Sequence, residues 1–175
     1  MEPANLKILY PKEMIRQRVT ALAEEISRDY PPDEVVLIGI LKGAFVFLAD
    51  LMRKLTISPS IDFIWLSSYG SSTSSSGEVK IVKDLQTEIA EKHVIIVEDI
   101  IDTGYTLKFL KEELGKRHPR SLKVCVLLDK RFRRKVDIQP DYVGMSMDED
   151  LFVIGYGLDC SERYRHLSDI YYLES

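Results

Sequence analysis

Residues 94–107 read VIIVEDIIDTGYTL, the most informative segment of the sequence. Its first four side chains are apolar and mostly β-branched, which predicts a strand buried on both faces of a sheet. The strand leads into two acids, Glu98 and Asp99, and then into the turn DTG, directly before a helical pattern over 105–118. A buried strand that ends in polar residues and is followed by a helix predicts an open α/β sheet, which binds ligands at the carboxyl ends of its strands.

The turn DTG at 102–104 has the chemistry of a phosphate site. Unpaired backbone N–H groups, nearby hydroxyls and the helix dipole all favour an anion at the start of the helix. The upstream acids, Glu98 and Asp99, suit a neighbouring ligand rich in hydroxyls or a magnesium ion. An ordinary helix cap with solvated carboxylates is the alternative, but three acids within nine residues of such a turn argue against it. The chain has no G-x-x-x-x-G-K-[ST] motif, and Gly155-x-Gly157 lacks the third glycine of a dinucleotide fingerprint.

Alternating strand and helix patterns extend outward on both sides of this stretch. Continuous apolar runs predict strands at 34–40, 60–68, 93–100, 122–128 and 151–158. Apolar spacing of one helix face predicts helices at 11–29, 43–55 and 105–118. Strands that alternate with helices indicate parallel pairing through right-handed crossovers. We therefore predict an α/β fold with a mostly parallel, doubly wound sheet flanked by helices.

Composition and length narrow the class of protein. The 175 residues suit one domain spanning 1–175, and 45% hydrophobic with 30% charged residues is the mix of a soluble globular protein. The net charge of −4 argues against general nucleic-acid or membrane binding. The opening residues lack the apolar core of a signal peptide, so we expect a cytoplasmic protein. Only Cys125 and Cys160 are present, which predicts neither a disulfide framework nor a structural zinc site.

One segment breaks the alternating pattern. Residues 67–77 hold seven serines, two glycines and one threonine, a composition that cannot build a core. It is either a disordered surface loop or a functional lid. Long structureless loops inside compact domains are uncommon and often functional, so we expect a mobile lid at about 67–78.

Six motifs together resemble one family along most of the chain, from about Leu37 to Arg165. They are LKGAFVFLADL, the Ser-Tyr loop, VEDIIDTG, LLDKR, PDYVG and FVIGYGLD…RYR, in the family's order and approximate spacing. Their combination resembles the type I phosphoribosyltransferases, and more narrowly the bacterial-type hypoxanthine-guanine phosphoribosyltransferases. The resemblance implies the fold predicted above with a small hood formed by the terminal segments.

The resemblance implies how 5-phosphoribosyl pyrophosphate (PRPP) and Mg²⁺ are held. The loop at Leu41 carries a cis peptide before the lysine in this family, and it binds pyrophosphate together with a downstream arginine. The implied pyrophosphate ligands are Lys42, Gly43 and Arg165. The implied ligands of the ribose hydroxyls and magnesium are Glu98 and Asp99, with Asp159 at a second magnesium. The implied cradle of the ribose 5′-phosphate comprises Asp102, Thr103, Gly104, Tyr105 and Thr106.

The resemblance also assigns the purine side of the site. Asp102 matches the general base that removes a proton from the purine ring, and Lys130 matches the donor to the 6-oxo group. Phe152, Val153 and Asp159 match residues that stack on the base and bind its edge. Ser68 and Tyr69 match the tip of the lid. Without the resemblance, Phe152 would be a core residue and Lys130 part of a solvated basic run, 130–135; we keep solvated face or subunit contact for its other basic residues.

The predicted activity is purine salvage, with a magnesium-dependent conversion of hypoxanthine to IMP or guanine to GMP. PRPP is the co-substrate, pyrophosphate is released, and the family forms homodimers or homotetramers. One alternative is an enzyme that prefers xanthine. Another is a regulator of the same fold that senses PRPP or nucleotides and binds nucleic acid, but the retained Asp102 and the net charge of −4 argue against it.

Overall fold

The computed structural model of the chain describes residues 6–30, 34–68 and 79–173. These residues form nine strands, three α-helices and one short 3₁₀ helix. In chain order they are β1 (Leu6–Tyr10), α1 (Lys12–Asp29), β2 (Val35–Leu41), α2 (Phe45–Met52), β3 (Ser60–Ser68), β4 (Val79–Lys83), β5 (His93–Ile101), α3 (Tyr105–Gly115), β6 (Ser121–Asp129), the 3₁₀ helix Arg131–Arg133, β7 (Tyr142–Ser146), β8 (Val153–Ile154) and β9 (Ile170–Leu173). No helix among the described residues is both long and apolar enough to cross a membrane.

The main sheet has six strands in the order β4-β3-β2-β5-β6-β7. All neighbouring pairs are parallel except β3 and β4, which are antiparallel. From β2 the chain adds β3 and β4 toward one edge of the sheet, and from β5 it adds β6 and β7 toward the other edge. The direction of winding therefore changes between the neighbouring strands β2 and β5. This confirms the predicted mostly parallel, doubly wound sheet.

Helices cover both faces of this sheet, which explains the continuous apolar runs of its central strands. In β5, Ile95 and Val97 belong to the core under α1 and α2, whereas Val94 and Ile96 belong to the core under α3. Successive side chains of a strand point to opposite faces, so both sets must be apolar when both faces are buried. The apolar face predicted for α1 is buried as well.

A second, three-stranded antiparallel sheet joins the two ends of the described chain in the order β1-β9-β8. It confirms the hood expected from the terminal segments. The strand predicted at 151–158 is wrong in extent, because only Val153–Ile154 is a strand, and it lies in this hood. Gly155, Tyr156 and Gly157 all have positive φ values, of 96°, 49° and 97°, so the backbone turns instead of extending.

The fold leaves some predictions open. A single domain over 1–175 stays a prediction, as does the mobile lid at about 67–78, of which only residues 67–68 are described, at the end of β3. Tyr69 lies outside the described residues. The strands that the sequence patterns did not predict are β1, β4, β7 and β9, which are four to five residues long.

Candidate active site

The carboxyl ends of three neighbouring parallel strands bring predicted site residues to one edge of the sheet. Strand β2 pairs with β5, and β5 pairs with β6, with Ile101 opposite Asp129. Lys42, Asp102 and Lys130 each follow directly after the last residue of one of these strands. This edge is where open α/β sheets bind ligands.

The loop after β2 packs against β5 with no space between them. The peptide bond between Leu41 and Lys42 is cis, which confirms the expectation for this loop. A Cβ atom placed on Gly43 would lie 1.7 Å from Oδ2 of Asp99, and one placed on Gly157 would lie 2.3 Å from the carbonyl oxygen of Gly43. Only glycine permits these approaches, so both glycines bring backbone to the edge of the acid pair.

The acid pair at the end of β5 is buried. Glu98 is 8% exposed and Asp99 is 9% exposed. Burial raises the pKa of Glu98 well above its usual range, and the negative charge of Asp99 adds to the rise. Burial also raises the pKa of Asp99, although the backbone N–H of Ile100, 2.7 Å from its Oδ1, and the charge of Arg165 oppose the shift. Two buried carboxylates that repel each other favour a bound cation.

The acid pair fits a magnesium ion that takes its remaining ligands from a substrate. Among the described residues, neither Glu98 nor Asp99 forms an ion pair with a lysine or arginine. No group of three or more acidic, histidine or cysteine side chains within that part of the chain is arranged to hold a metal. Mg²⁺ commonly binds through one or two carboxylates plus substrate oxygens, which agrees with a pair and not a full cage.

Lys42, Arg165, Asp159 and Glu162 form a second group beside the acid pair, which we call the pyrophosphate cluster after the ligand that the family resemblance implies. Nζ of Lys42 lies 3.0 Å from Oε2 of Glu162 and 5.7 Å from the ring centroid of Trp65. Arg165 contacts Oδ1 of Asp159 at 2.8 Å and Oε2 of Glu162 at 3.4 Å. Three of these residues were predicted from the resemblance. Glu162 was not, since one acid between two predicted residues carries no signal of its own.

The start of α3 presents backbone donors, as the turn DTG predicts. Gly104 has a φ of 88° and precedes the helix without a side-chain cap from any described residue. The carbonyl oxygen of Thr103 accepts a hydrogen bond from the backbone N–H of Lys135 at 2.9 Å, which fixes the turn. Tyr105 and Thr106 are the first two residues of the helix. The N–H groups of this first turn have no partner inside the helix and are suited to an anion.

Asp102 and Lys130 belong to a third group, which we call the purine cluster after the ligand that the family resemblance implies. Oδ1 of Asp102 lies 2.8 Å from Nε of Arg133, and Nη1 of Arg133 lies 2.6 Å from Oδ2 of Asp150. The Nζ atom of Lys130 lies 3.5 Å from Oδ1 of Asp150 and donates to the carbonyl oxygen of Leu151 at 2.7 Å. Lys130 is 7% exposed, so its ammonium is held at the sheet edge and not in solvent.

The basic run 130–135 therefore does more than the sequence predicted. Arg134 is buried and pairs with Asp129, so the solvated-face interpretation is wrong for it. Arg133 is half-exposed, but its guanidinium is shared between Asp102 and Asp150. A run of basic residues does not indicate which side chains form buried or shared ion pairs. The acidic partners, Asp102, Asp129 and Asp150, lie in other segments or at the end of a strand.

The remaining predicted residues lie around these groups. Phe152 is 54% exposed and next to Leu151, so it is not a core residue; Val153 is buried in β8. Asp159 accepts a hydrogen bond from the backbone N–H of Glu162 at 2.8 Å in addition to its arginine contact. Ser68 ends β3 at the same edge of the sheet as the end of β2.

Comparisons with known proteins show which family the chain belongs to. The sequence model of the phosphoribosyl transferase domain family matches residues 5–161. The chain is 46% identical over 164 residues to the hypoxanthine phosphoribosyltransferase of Salmonella typhimurium, covering 93% of this chain and 92% of that protein. It is 47% identical over 170 residues to the hypoxanthine-guanine phosphoribosyltransferase of Aquifex aeolicus, covering 97% and 95% of the two chains.

Solved structures give the same result. A crystal structure of a hypoxanthine-guanine phosphoribosyltransferase from Bacillus anthracis superposes with a TM-score of 0.90 at 46% identity, covering 96% of this chain and 98% of that one. A hypoxanthine phosphoribosyltransferase from Staphylococcus aureus superposes with a TM-score of 0.92 at 44% identity, covering 96% and 91%. Each of these two superpositions covers 96% of this chain.

Proposed function

Because the chain belongs to the phosphoribosyltransferase family, and within it to the hypoxanthine and hypoxanthine-guanine enzymes, we propose that it makes purine nucleotides from free bases. The reaction converts hypoxanthine to IMP, or guanine to GMP, with PRPP as the second substrate and pyrophosphate as the second product. The chain is thus a purine-salvage glycosyltransferase that acts on a pentosyl group.

One observation supports this function most strongly. A buried acid pair, Glu98 and Asp99, lies beside the cationic side chains of the pyrophosphate cluster on the loops after β2 and β8. The acid pair lies on β5, and this strand is followed directly by Asp102 of the purine cluster. Cations for a pyrophosphate, acids for a hydroxylated sugar and its metal, and a carboxylate near a buried lysine are the groups that this transfer needs.

Asp102 is the proposed general base. A purine ring nitrogen attacks C1 of the ribose, the bond from C1 to the pyrophosphate oxygen breaks, and pyrophosphate leaves with the bonding electrons. The proton of the ring nitrogen passes to the Asp102 carboxylate. The N–H groups at the start of α3, with Thr103 and Thr106, hold the 5′-phosphate, so the sugar is anchored on the side opposite the leaving group.

Lys130 is the proposed determinant for 6-oxopurines. Its buried ammonium donates to the carbonyl oxygen of Leu151 and can donate a further hydrogen bond to the 6-oxo group of the base. Adenine carries an amino group there, so the ammonium would lose an acceptor in a buried site. Phe152, exposed beside Leu151, is proposed to stack on the base, and Val153 to bind its edge through backbone groups.

Mg²⁺ is the proposed cofactor, with Glu98 and Asp99 as its protein ligands. When bound, the ion neutralises negative charge on the pyrophosphate as it leaves. Asp159 is proposed to serve a second magnesium, for which it must give up its present contact with Arg165. Lys42, Gly43 and Arg165 then bind the pyrophosphate oxygens directly.

The test is a comparison of hypoxanthine, guanine, xanthine and adenine, each with PRPP and Mg²⁺, followed by ultraviolet absorbance with a metal-free control. We expect metal-dependent nucleotide formation from hypoxanthine or guanine and none from adenine. A clear preference for xanthine would favour the xanthine enzyme. PRPP binding without conversion of any base would favour the regulator and reject the proposed function.

Two further proposals concern the protein in the cell. We propose a homodimer or homotetramer in the cytoplasm, from the family to which the chain belongs. Light scattering on purified protein at several concentrations measures the subunit number directly. A monomer at all concentrations would contradict the oligomer.

A further inference from the structure

We propose that Arg133 is a positioning residue that holds the base Asp102 in register with the purine-binding Lys130. The inference rests on the proposed function, because it gives Arg133 a role in that reaction. It starts from an unbroken series of four charged side chains, Asp102, Arg133, Asp150 and Lys130, with alternating sign.

The series joins three separate segments of the chain. Asp102 lies after β5, Arg133 ends the 3₁₀ helix, and Asp150 lies in the segment between β7 and β8. The contacts run from Asp102 to Arg133 at 2.8 Å, from Arg133 to Asp150 at 2.6 Å and from Asp150 to Lys130 at 3.5 Å. The backbone holds the start of this segment, where the N–H of Met147 donates to the carbonyl oxygen of Asp129 at 2.9 Å, whereas the contacts given for Asp150 itself among the described residues are the two side-chain ion pairs.

A guanidinium is suited to this task because its donors lie in one rigid plane. Arg133 uses Nε for Asp102 and Nη1 for Asp150, so the relative position of the two carboxylates is fixed by the geometry of one group. A lysine presents a single ammonium on a flexible stem and holds two carboxylates less rigidly. The arrangement therefore depends on the identity of the residue and not on its charge alone.

Arg133 occupies only one oxygen of the base. The hydrogen bond goes to Oδ1 of Asp102, and Oδ2 accepts none from the residues that the structure describes. That oxygen stays available to the purine ring nitrogen while the carboxylate is held by the other. Since a displacement of about 1 Å can reduce a rate roughly 100-fold, fixing this carboxylate affects the chemical step.

The neighbouring Arg134 has a different task. Arg134 is buried with Asp129, and its Nη1 lies 3.4 Å from the backbone carbonyl oxygen of Asp102. Removing it would leave a buried carboxylate without a partner and would damage the fold. Arg133 and Asp150 are at least 40% exposed, and exposed ion pairs contribute little to stability. Substitution of Arg133 therefore tests positioning without unfolding the protein.

The experiment compares Arg133→Ala, Arg133→Lys and Arg131→Ala with the wild type. Arg131 is the matched control, because it lies exposed in the same 3₁₀ helix and forms no ion pair in the described part of the chain. The rate of IMP or GMP formation is measured in a single turnover with saturating PRPP, so that product release does not enter. PRPP affinity is measured by calorimetry, and the melting midpoint by circular dichroism.

We expect Arg133→Ala to lower the single-turnover rate roughly 10–100-fold while PRPP affinity changes by less than about twofold. Arg133→Lys should recover part of the rate, and Arg131→Ala should match the wild type. Asp150→Ala should reduce the rate of the Arg133→Ala variant by a smaller factor than it reduces the rate of the wild type. The two effects are not additive, because both substitutions interrupt the same series of ion pairs.

Two results would overturn the inference while leaving the proposed function intact. One is an Arg133→Ala rate within about twofold of the Arg131→Ala control. The other is a loss of rate that follows a lower melting midpoint and weaker PRPP binding together, since that pattern indicates a structural role. A wild-type protein that forms no nucleotide is a different result, and it removes both the proposed function and the role of Arg133 in it.

Discussion

At the scale of single residues, Asp102 is the group on which the proposed chemistry depends most. We expect Asp102→Asn to lower the single-turnover rate roughly 10²–10⁴-fold, the usual contribution of a general base. An amide has nearly the same shape and hydrogen-bonding reach, so PRPP affinity should stay within about threefold of the wild-type value. Rapid-quench kinetics and calorimetry measure the two quantities separately.

The control for this substitution is Asp137→Asn, which changes an exposed acid on the loop after the 3₁₀ helix. It should leave the rate and the affinity unchanged. Turnover by Asp102→Asn at the wild-type rate would remove Asp102 as the base, and a parallel loss of PRPP binding would make it a binding residue.

Glu98 gives a prediction about pH. Burial and the charge of Asp99 raise its pKa in the folded protein, so the folded state holds the Glu98 proton more tightly than the unfolded chain does. The free energy of unfolding should therefore fall as the pH rises from the usual pKa of glutamate, about 4.3, through the raised pKa. Glu98→Gln does not ionise, so it should raise the melting midpoint of the ligand-free protein at pH 7 and above.

The same substitution should weaken the binding of PRPP with magnesium, because one of the two carboxylates that attract the ion is lost. Thermal unfolding from pH 4 to pH 8, with and without ligand, measures both effects. The advantage of Glu98→Gln should vanish at the acid end of this range. If the variant is less stable than the wild type at neutral pH, burial of the two acids does not destabilise the folded protein, and the prediction is wrong.

At the scale of elements, the start of α3 depends on a glycine that no other residue replaces well. Gly104 has a φ of 88°, and an added Cβ would lie 2.7 Å from Cγ2 of Ile138 and 2.8 Å from Cδ of Arg134. We expect Gly104→Ala to lower the free energy of unfolding by about 1–3 kcal/mol, from the left-handed conformation and the close contacts. Urea denaturation measures the change.

The same helix supplies the control at its other end. A Cβ on Gly115 would meet no atom within 4 Å, and its φ is not in the left-handed region. Because alanine is the better helix former by about 1 kcal/mol, Gly115→Ala should be neutral or stabilising. Equal destabilisation by both substitutions would mean that the effect belongs to α3 as a whole and not to the turn DTG at its start.

The elements also show what the sequence could predict. The central strands β2, β5 and β6 were found because burial on both faces makes them continuously apolar. Strands β1 and β4 were missed because exposed positions interrupt their apolar pattern, whereas β7 is mostly buried but only five residues long and contains a glycine. The strand predicted over 151–158 is shorter for a different reason: Gly155 and Gly157 interrupt the apolar run with positive φ values, which end the extended backbone.

The site divides in the same way. Residues on continuous motifs, such as Glu98, Asp99 and Asp102, could be named because their segment alone carries the pattern. The contacts of Glu162, Arg133 and Arg134 could not be predicted, because they form between segments that the sequence pattern does not connect. Pairwise contacts of this kind leave no periodic or compositional trace in a single sequence.

At the scale of the whole molecule, ligand binding should stabilise the fold, because the proposed PRPP site draws on the loops after β2, β5 and β8, which belong to both the main sheet and the hood. PRPP with Mg²⁺ at about 100 times its dissociation constant should add about 2.7 kcal/mol. For a chain of this length that corresponds to a rise of roughly 5–11 °C in the melting midpoint. Ribose 5-phosphate should give a smaller rise, since it lacks the pyrophosphate that the Lys42 and Arg165 side chains are proposed to bind. A melting midpoint unmoved by PRPP would contradict the site.

The pairing of β1 with β9 has a consequence for synthesis on the ribosome. Leu6 lies opposite Leu173, so the first strand of the fold must wait for a partner about 165 residues later. At 5–20 residues per second, this wait is roughly 8–33 s, during which the backbone of β1 has no neighbour. A released chain that ends at Ser146 contains all six strands of the main sheet but lacks β8 and β9 of the hood. Such a chain would carry Glu98, Asp102 and Lys130 and still lack Arg165, so the side chains proposed to hold the sugar and the base are synthesised before the arginine proposed to hold the pyrophosphate.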